Sequence, residues 1–313
     1  MAAPDPRVGI AFVPESSAQA LDLIGRAERA GIDTVWTVMP ATGLDTPTLF
    51  AAALATTERV RLGTAIVPAF TRHPIMMATQ ALALEGLGPG RFRLGLGTSH
   101  ARTMVDVYHL DFARPLSQLR EYVSVLRPLL HEGESHFRGD FYAVDATMGR
   151  TAPTPVLVSA LRAPAWELAG ELTDGGISWL CPVDFLLRVA VPALATGADR
   201  AGRARPPLVA HVPVVARRDR EEVRAIARQQ LAYYAAAPFY ARMFADAGFP
   251  LRPDGQVSDA LVDDLVVSGS AAEIATGVRA RLDRGLDEVL VSVLAGPDRR
   301  ADEAALVEAA ARV

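Results

Sequence analysis

Short apolar, β-branched runs alternate along this chain with longer segments whose apolar positions recur every three to four residues. The short runs fall at 7–13, 34–38, 61–68, 91–98, 155–160, 176–180, 208–216 and 288–294. Continuous apolar runs of that length suit strands covered on both faces of a parallel sheet. Between them lie helical patterns. After Ser16, the residues Ala20, Leu23, Ile24, Ala27 and Ala30 keep a 3.6-residue period, and Gly31 ends the segment. Further helices are predicted from about Pro47, at 74–87, 115–131, 163–172, 186–200, 218–236, 271–284 and 302–312, with Pro192 expected to kink the one that contains it.

The stretch 61–100 shows the unit most plainly: strand, loop, helix, the tight turn Leu87-Gly88-Pro89-Gly90, then a strand that ends in Gly-Thr-Ser-His. A crossover of that length joins parallel strands, and right-handedly. Eight strands alternating with helices predict an α/β fold of the (β/α)8 TIM-barrel class, as one domain over 1–313 with two insertions. One insertion is a small hairpin at 136–145. The other is the looser segment 238–267, rich in Pro, Gly and aromatics, which suits a lid or a homodimer contact. No 20–50-residue repeat exists beyond the unit rhythm.

Composition narrows the function classes. A net charge of −4 gives no reason to expect nucleic acid or an anionic membrane as partner. The single cysteine, Cys181, cannot form an internal disulfide and fits a reducing compartment, so the expected location is the cytoplasm. No apolar run is long enough to span a membrane, and no secretion signal is legible. Every basic residue is arginine, which excludes Schiff-base chemistry on lysine and reads as compositional bias of the genome.

Candidate chemistry is sparse. The histidines His73, His100, His109, His131, His136 and His211 never reach HxH or HExxH spacing, so no catalytic metal is expected. No G-x-S-x-G elbow is present, and Cys181 reads as a small buried hydrophobe. Gly95-Leu96-Gly97 lies within a strand instead of opening a helix, so it is no dinucleotide fingerprint. His100 differs from the other histidines, because its strand delivers it to the C-terminal mouth where α/β barrels place their chemistry. A rim histidine bonded to a loop carbonyl is an equal reading on spacing alone. His73 reads as structural, and His211 as a satisfied core histidine. Ser159 to Pro164 passes from strand to helix start, where free N–H groups and Arg162 could hold a phosphate; an ordinary turn with a solvent arginine reads equally well.

Several segments, in order, resemble one family. They are LGTAIVPAFTRHP at 62–74, GRFRLGLGTSH at 90–100, REYVSVLRPLL at 120–130, ELAGELTDGGISWL at 167–180 and SGSAAEIATGVRARLDRGLDEVLVSV at 268–293. Over essentially its whole length the chain is similar to the luciferase-like monooxygenase superfamily, in its branch that uses the deazaflavin coenzyme F420. The resemblance implies a barrel with the isoalloxazine-like ring in its mouth. It places a bulged strand with a non-prolyl cis peptide on Ala65-Ile66, ring-edge contacts on Thr98, Ser99, His100 and Thr103, the phosphate turn on Ala160, Leu161, Arg162 and Ala163, and a further contact on Leu180 and Cys181. The sugar-phosphate dehydrogenases of that branch carry an Asp-His pair where Met39-Pro40 stands here, an acidic residue in place of His100, Gly-Gly in place of Leu161-Arg162, and lysines that this chain lacks. The expected substrate is therefore a small apolar or ring-shaped organic molecule, in a pocket formed by Phe12, Met39, Pro40, Phe70 and Trp179. The expected activity is hydride transfer between the deazaflavin C5 and that substrate, reducing a C=C or C=N bond, with His100 as proton donor or ring anchor. An FMN-dependent monooxygenase and a non-catalytic flavin-binding protein are the competing readings.

Overall fold

Strand β1 (Val8–Phe12) leads through helix α1 (Ser17–Arg29) to β2 (Thr34–Thr37), then through α2 (Thr46–Thr56) to β3 (Arg61–Thr64) and its continuation β4 (Val67–Pro68). These elements belong to a computed structural model that describes residues 4–313. The chain continues through α3 (Pro74–Leu87), β5 (Phe92–Gly97), α4 (Pro115–His131) and an antiparallel hairpin of β6 (Glu134–Arg138) and β7 (Ala143–Thr147). Next come β8 (Val156–Ser159), α5 (Ala163–Leu172), β9 (Gly175–Ile177), α6 (Val183–Phe185), α7 (Val191–Arg200), β10 (Leu208–Val215) and α8 (Arg220–Ala235). The last part holds α9 (Pro238–Asp246), α10 (Asp259–Leu265), β11 (Val267–Ser268), α11 (Ala271–Leu282), β12 (Glu288–Val293) and α12 (Arg299–Ala310).

The parallel ladder β1-β2-β3-β5-β8-β9-β10-β12 closes when β12 pairs with β1, which makes the expected (β/α)8 barrel. Side chains of alternate residues fill it. Ala11, Trp36, Ala65, Leu157, Ile177, Val209 and Leu290 form the inner cluster, against which Ile66 and Trp179 pack. At the N-terminal end the Arg93 guanidinium lies 4.7 Å over the Trp36 ring and pairs with Glu288 through two bonds of 2.7 and 3.1 Å. That pairing satisfies a buried charge and closes the bottom of the barrel.

One strand is irregular, and at the mouth. Pairing of β3 with β5 stops at Gly63–Arg93, and β4 resumes it at Val67–Leu96, so four steps on one side match three on the other. This is a β-bulge. The Ala65–Ile66 peptide within it is cis, in agreement with the expectation from the resemblance. The Thr64 hydroxyl repairs the interrupted ladder: it donates to the Gly95 carbonyl at 2.7 Å and accepts from the Gly95 N–H at 2.8 Å.

Two expectations need correction. The segment 238–267 is not loose throughout, because α9 buries Tyr240, Met243 and Phe244 at helical spacing and α10 buries Leu261, Val262 and Leu265. Both helices are too short for their period to stand out against the surrounding Pro and Gly. The segment 186–200 is helical, as expected, but not α-helical throughout: a π-helical turn spans Leu186–Ala190 and runs directly into α7, whose first turn carries Pro192. Among the described residues no helix is long and apolar enough to cross a membrane.

Candidate active site

The C-terminal ends of the barrel strands converge on one mouth, and the sequence immediately after each strand determines what is presented there. After β5 the backbone turns through Thr98 and Ser99, the latter at φ +61, so that His100 doubles back over the barrel. The imidazole is half-buried in an aromatic surround. Tyr233 and Phe239 lie 5.2 Å away, Tyr240 at 6.0 Å and nearly parallel, and Tyr234 at 6.1 Å, measured between ring centres. Burial lowers the His100 pKa, so its neutral form dominates at pH 7. Its backbone carbonyl accepts from the Met104 N–H at 3.0 Å, and among the described residues its ring nitrogens meet no hydrogen-bond partner. Thr103, half-buried, opens the π-helical turn Thr103–Val107 that follows.

After β9 the mouth is floored by Trp179, whose indole stacks on the His211 imidazole at 3.7 Å and 6°. Leu180 adopts φ +55, and its N–H donates to His211 Nδ1 at 3.2 Å. Because Nδ1 accepts, the proton resides on Nε2, which faces Ser292 Oγ at 2.7 Å. His211 is thus a satisfied buried histidine, as its position in mid-strand predicts. Burial pushes its pKa down to about 3. Cys181 is buried and its thiol is pushed up to about 12, so it carries no thiolate at neutral pH.

The depressed His211 value has a consequence for stability. The unfolded chain binds this proton near pH 6.5, but the native chain does so only near 3. The stabilising contribution is therefore complete above pH 6.5 and is lost as pH falls toward 3, at about 1.4 kcal/mol per unit. Unfolding free energy from urea titration is expected to be lower by about 2–3 kcal/mol at about pH 4.5 than at pH 7. The loss should be visibly shallower in His211→Leu.

After β8 the chain enters α5. Ala160 donates to the Ile177 carbonyl at 2.9 Å, whereas the N–H groups of Leu161, Arg162 and Ala163 meet no acceptor among the described residues. Pro164 then supplies a helical residue without a donor. Three free N–H groups at the start of a ten-residue helix form an anion-binding end. The Arg162 guanidinium beside them is engaged by Asp246 of α9, with Nε 3.3 Å from the carboxylate. Gly97 approaches both Ile66 and Ser159 so closely that a Cβ would lie 2.3 Å from Ser159 Oγ, which keeps the bulge and the end of β8 packed side by side.

The five residues expected around the substrate divide. Trp179 stands at the mouth. Phe70 is buried edge-on to Phe112 at 6.1 Å, and Met39 is buried with its sulfur 3.9 Å from Arg72, while Pro40 is half-buried. Phe12 packs in the main core, with its neighbour Ala11 taking the barrel interior. His73 caps α3, its Nδ1 accepting from the Ile75 N–H at 3.3 Å, as a structural histidine should. Sequence reasoning missed Tyr233, Tyr234, Phe239 and Tyr240. Their one local signal is the crowding of four aromatics in the string YYAAAPFY, otherwise alanine and proline.

A closed parallel barrel ringed by helices agrees with the comparisons to known proteins. The chain belongs to the luciferase-like monooxygenase family, whose profile matches residues 4–288. A 5,10-methylenetetrahydromethanopterin reductase from Methanolobus tindarius is 25% identical over 313 residues, covering 93% of this chain and 95% of that protein. The coenzyme F420-dependent tetrahydromethanopterin reductase from Methanopyrus kandleri superposes with a TM-score of 0.78 at 20% identity, covering 99% of this chain and 98% of that one. The FMN-bound oxygenating constituent of 3,6-diketocamphane monooxygenase from Pseudomonas putida superposes at 0.73 and 18% identity, covering 99% and 97%. The two superpositions show the shared barrel.

Proposed function

We propose that this chain is an F420-dependent oxidoreductase that moves a hydride between C5 of the deazaflavin and a small organic substrate, reducing a C=C or C=N bond. The observation that carries the proposal is the convergence at one mouth of a neutral, unpartnered His100 imidazole, the bulge at Ala65-Ile66 and the free N–H groups of Leu161, Arg162 and Ala163. The relatives named above supply the cofactor class, one by its F420 dependence and one by bound FMN.

The residues present fit a phosphate-bearing flavin analogue. Three donors without an acceptor among the described residues, at the start of α5, suit its phosphate, and the apolar Ala65 and Ile66 of the bulge would contact its ring. When bound, the deazaflavin supplies the carbon that gives or takes hydride. The chain binds, orients and manages the proton. Leu161, Arg162 and Ala163 would hold the anionic end, and Thr98, Ser99 and Thr103 would serve the polar edge of the ring. Trp179 and Leu180 exclude water below it. The His100 imidazole holds or passes a proton at a ring nitrogen; burial keeps that ring uncharged at rest, and its aromatic surround limits exchange with bulk water.

Titration of the purified protein with F420 and with FMN, followed by deazaflavin fluorescence and flavin absorbance, tests the reading. Micromolar F420 affinity with weaker FMN binding is expected. Tight FMN binding without detectable F420 binding would promote the monooxygenase reading.

The Asp246 carboxylate competes with any phosphate for Arg162. Both groups are half exposed, so their pairing is worth little and is screened by salt. Asp246→Asn is expected to tighten F420 about two- to fivefold at low ionic strength. The phosphate-free deazaflavin riboside should bind unchanged. Equal effects on both ligands would place Arg162 away from the phosphate.

A further inference from the structure

Barrel interiors of this class are filled mainly by branched apolar side chains. Here, directly beneath the mouth, the filling residue is a histidine with every polar atom engaged. The His211 backbone N–H donates to Ser178 Oγ at 3.1 Å, Nδ1 accepts from the Leu180 N–H at 3.2 Å, and Nε2 faces Ser292 Oγ at 2.7 Å. Ser178, Leu180 and Ser292 come from the two strands or strand ends that flank β10, so the ring is tied to the barrel wall on both sides. Its face carries the Trp179 indole at 3.7 Å, closer and flatter than any other aromatic pair at the mouth.

Leu180 gives this arrangement a purpose beyond filling space. A branched side chain at φ +55 costs on the order of 1–2 kcal/mol relative to ordinary backbone, and such residues persist only where their surroundings hold them. What holds this one is its N–H bond to Nδ1. That bond exists in only one tautomer of the imidazole, the one protonated at Nε2, and Ser292 Oγ at 2.7 Å gives that proton an acceptor. An apolar residue of the same volume could fill the cavity, but it could neither bind the Leu180 N–H nor present a flat ring to the indole.

We infer that His211 is a positioning residue of the barrel-mouth site: with its Nε2 proton accepted by Ser292 and its Nδ1 accepting from Leu180, it fixes the left-handed Leu180 backbone and the Trp179 indole against which the ring of the cofactor lies. The inference rests on the proposed function for the identity of that ring. It acts through Trp179 and Leu180 and touches neither cofactor nor substrate, so its signature is loss of ring affinity and of kcat with little change in KM for the organic substrate.

The test compares His211→Leu, which keeps the volume and removes both nitrogens, with His211→Asn, whose Oδ1 takes the place of Nδ1 and accepts from Leu180. Two readouts are used. The first needs no ligand: the emission of Trp179, isolated as the difference between each protein and its Trp179→Phe counterpart. The second is affinity for the phosphate-free deazaflavin riboside, which reports the ring site without the phosphate turn. His211→Leu is expected to change the Trp179 emission and to weaken riboside binding about tenfold, while His211→Asn restores most of the affinity. Wild-type emission and riboside affinity in a folded His211→Leu protein would overturn the inference. So would equal losses in both variants, since these would mark a purely structural role. If His211→Leu does not fold, Ser292→Ala replaces it, with the emission change and the affinity loss expected again and their absence equally fatal. If the wild-type protein binds no flavin at all, the proposed function fails, and the ligand-free emission still decides whether His211 holds the indole.

Discussion

Replacing His100 by alanine is expected to lower turnover by about 10²–10⁴-fold while F420 affinity changes far less, the pattern of a group that moves a proton in the transition state. The expectation follows from the placement of its ring. His100 follows the left-handed turn at Ser99, its nitrogens meet no partner among the described residues, and Tyr233, Phe239 and Tyr240 exclude much of the solvent around it. The sign of the pH dependence follows from the lowered pKa. In the reductive direction the imidazolium is the donor, so the rate should rise as pH falls from 8 through 6.5 toward the depressed folded value. In the oxidative direction the neutral ring accepts, and the rate should fall over the same range. Stopped-flow oxidation of reduced F420 by enones or imines, run for wild type and His100→Ala across that range, measures both. Unchanged turnover and an unchanged profile in His100→Ala would reduce His100 to a rim residue.

The largest expected effect on stability comes from Gly95→Ala. A Cβ on Gly95 would lie 1.9 Å from the Thr64 carbonyl oxygen and 2.7 Å from Ile177 Cδ1. The first of these is backbone and cannot swing aside. Relief requires β5 to move away from the bulge, and that breaks the two bonds by which the Thr64 hydroxyl bridges Gly95. Overpacking of this kind, with two buried hydrogen bonds at stake, should cost about 3 kcal/mol or more. A melting temperature lower by about 4–6 °C is expected by calorimetry. Gly86→Ala is the control. Gly86 lies within α3 with nothing within 4 Å of its Cβ position, so alanine there should leave stability unchanged or raise it by up to about 1 kcal/mol. A Gly95→Ala protein that melts with the wild type would mean that the ladder around the bulge is looser than its geometry implies.

Much of the barrel was legible from the chain because each signal is local. The period of a strand or helix is set by neighbours within one element, and a cap such as Ser16 marks a helix start by accepting from an N–H only three positions on. Hairpin and mouth followed from adjacency, the bulge only from the family resemblance: β6 and β7 are joined by a few residues, and a parallel strand ending in Gly-Thr-Ser-His has no other place to deliver its histidine. The elements misjudged were those where a short helix competes with Pro and Gly, as in α9 and α10, or where one helix changes its winding, as at Leu186–Ala190.

By itself, then, the sequence determined the order and period of the elements, the closure of eight parallel strands, and the delivery of His100 to the mouth. Only the tertiary structure decided what His100 meets there. Tyr233, Tyr234, Phe239 and Tyr240 reach it from the far side of the barrel. It likewise decided that Asp246 lies against Arg162, and that His211 is bonded to Leu180 and stacked on Trp179 instead of merely filling the core. The reason is physical: periodicity records which face of an element is buried, whereas the partner that buries it is chosen by packing between segments distant in the chain, which leaves no local pattern.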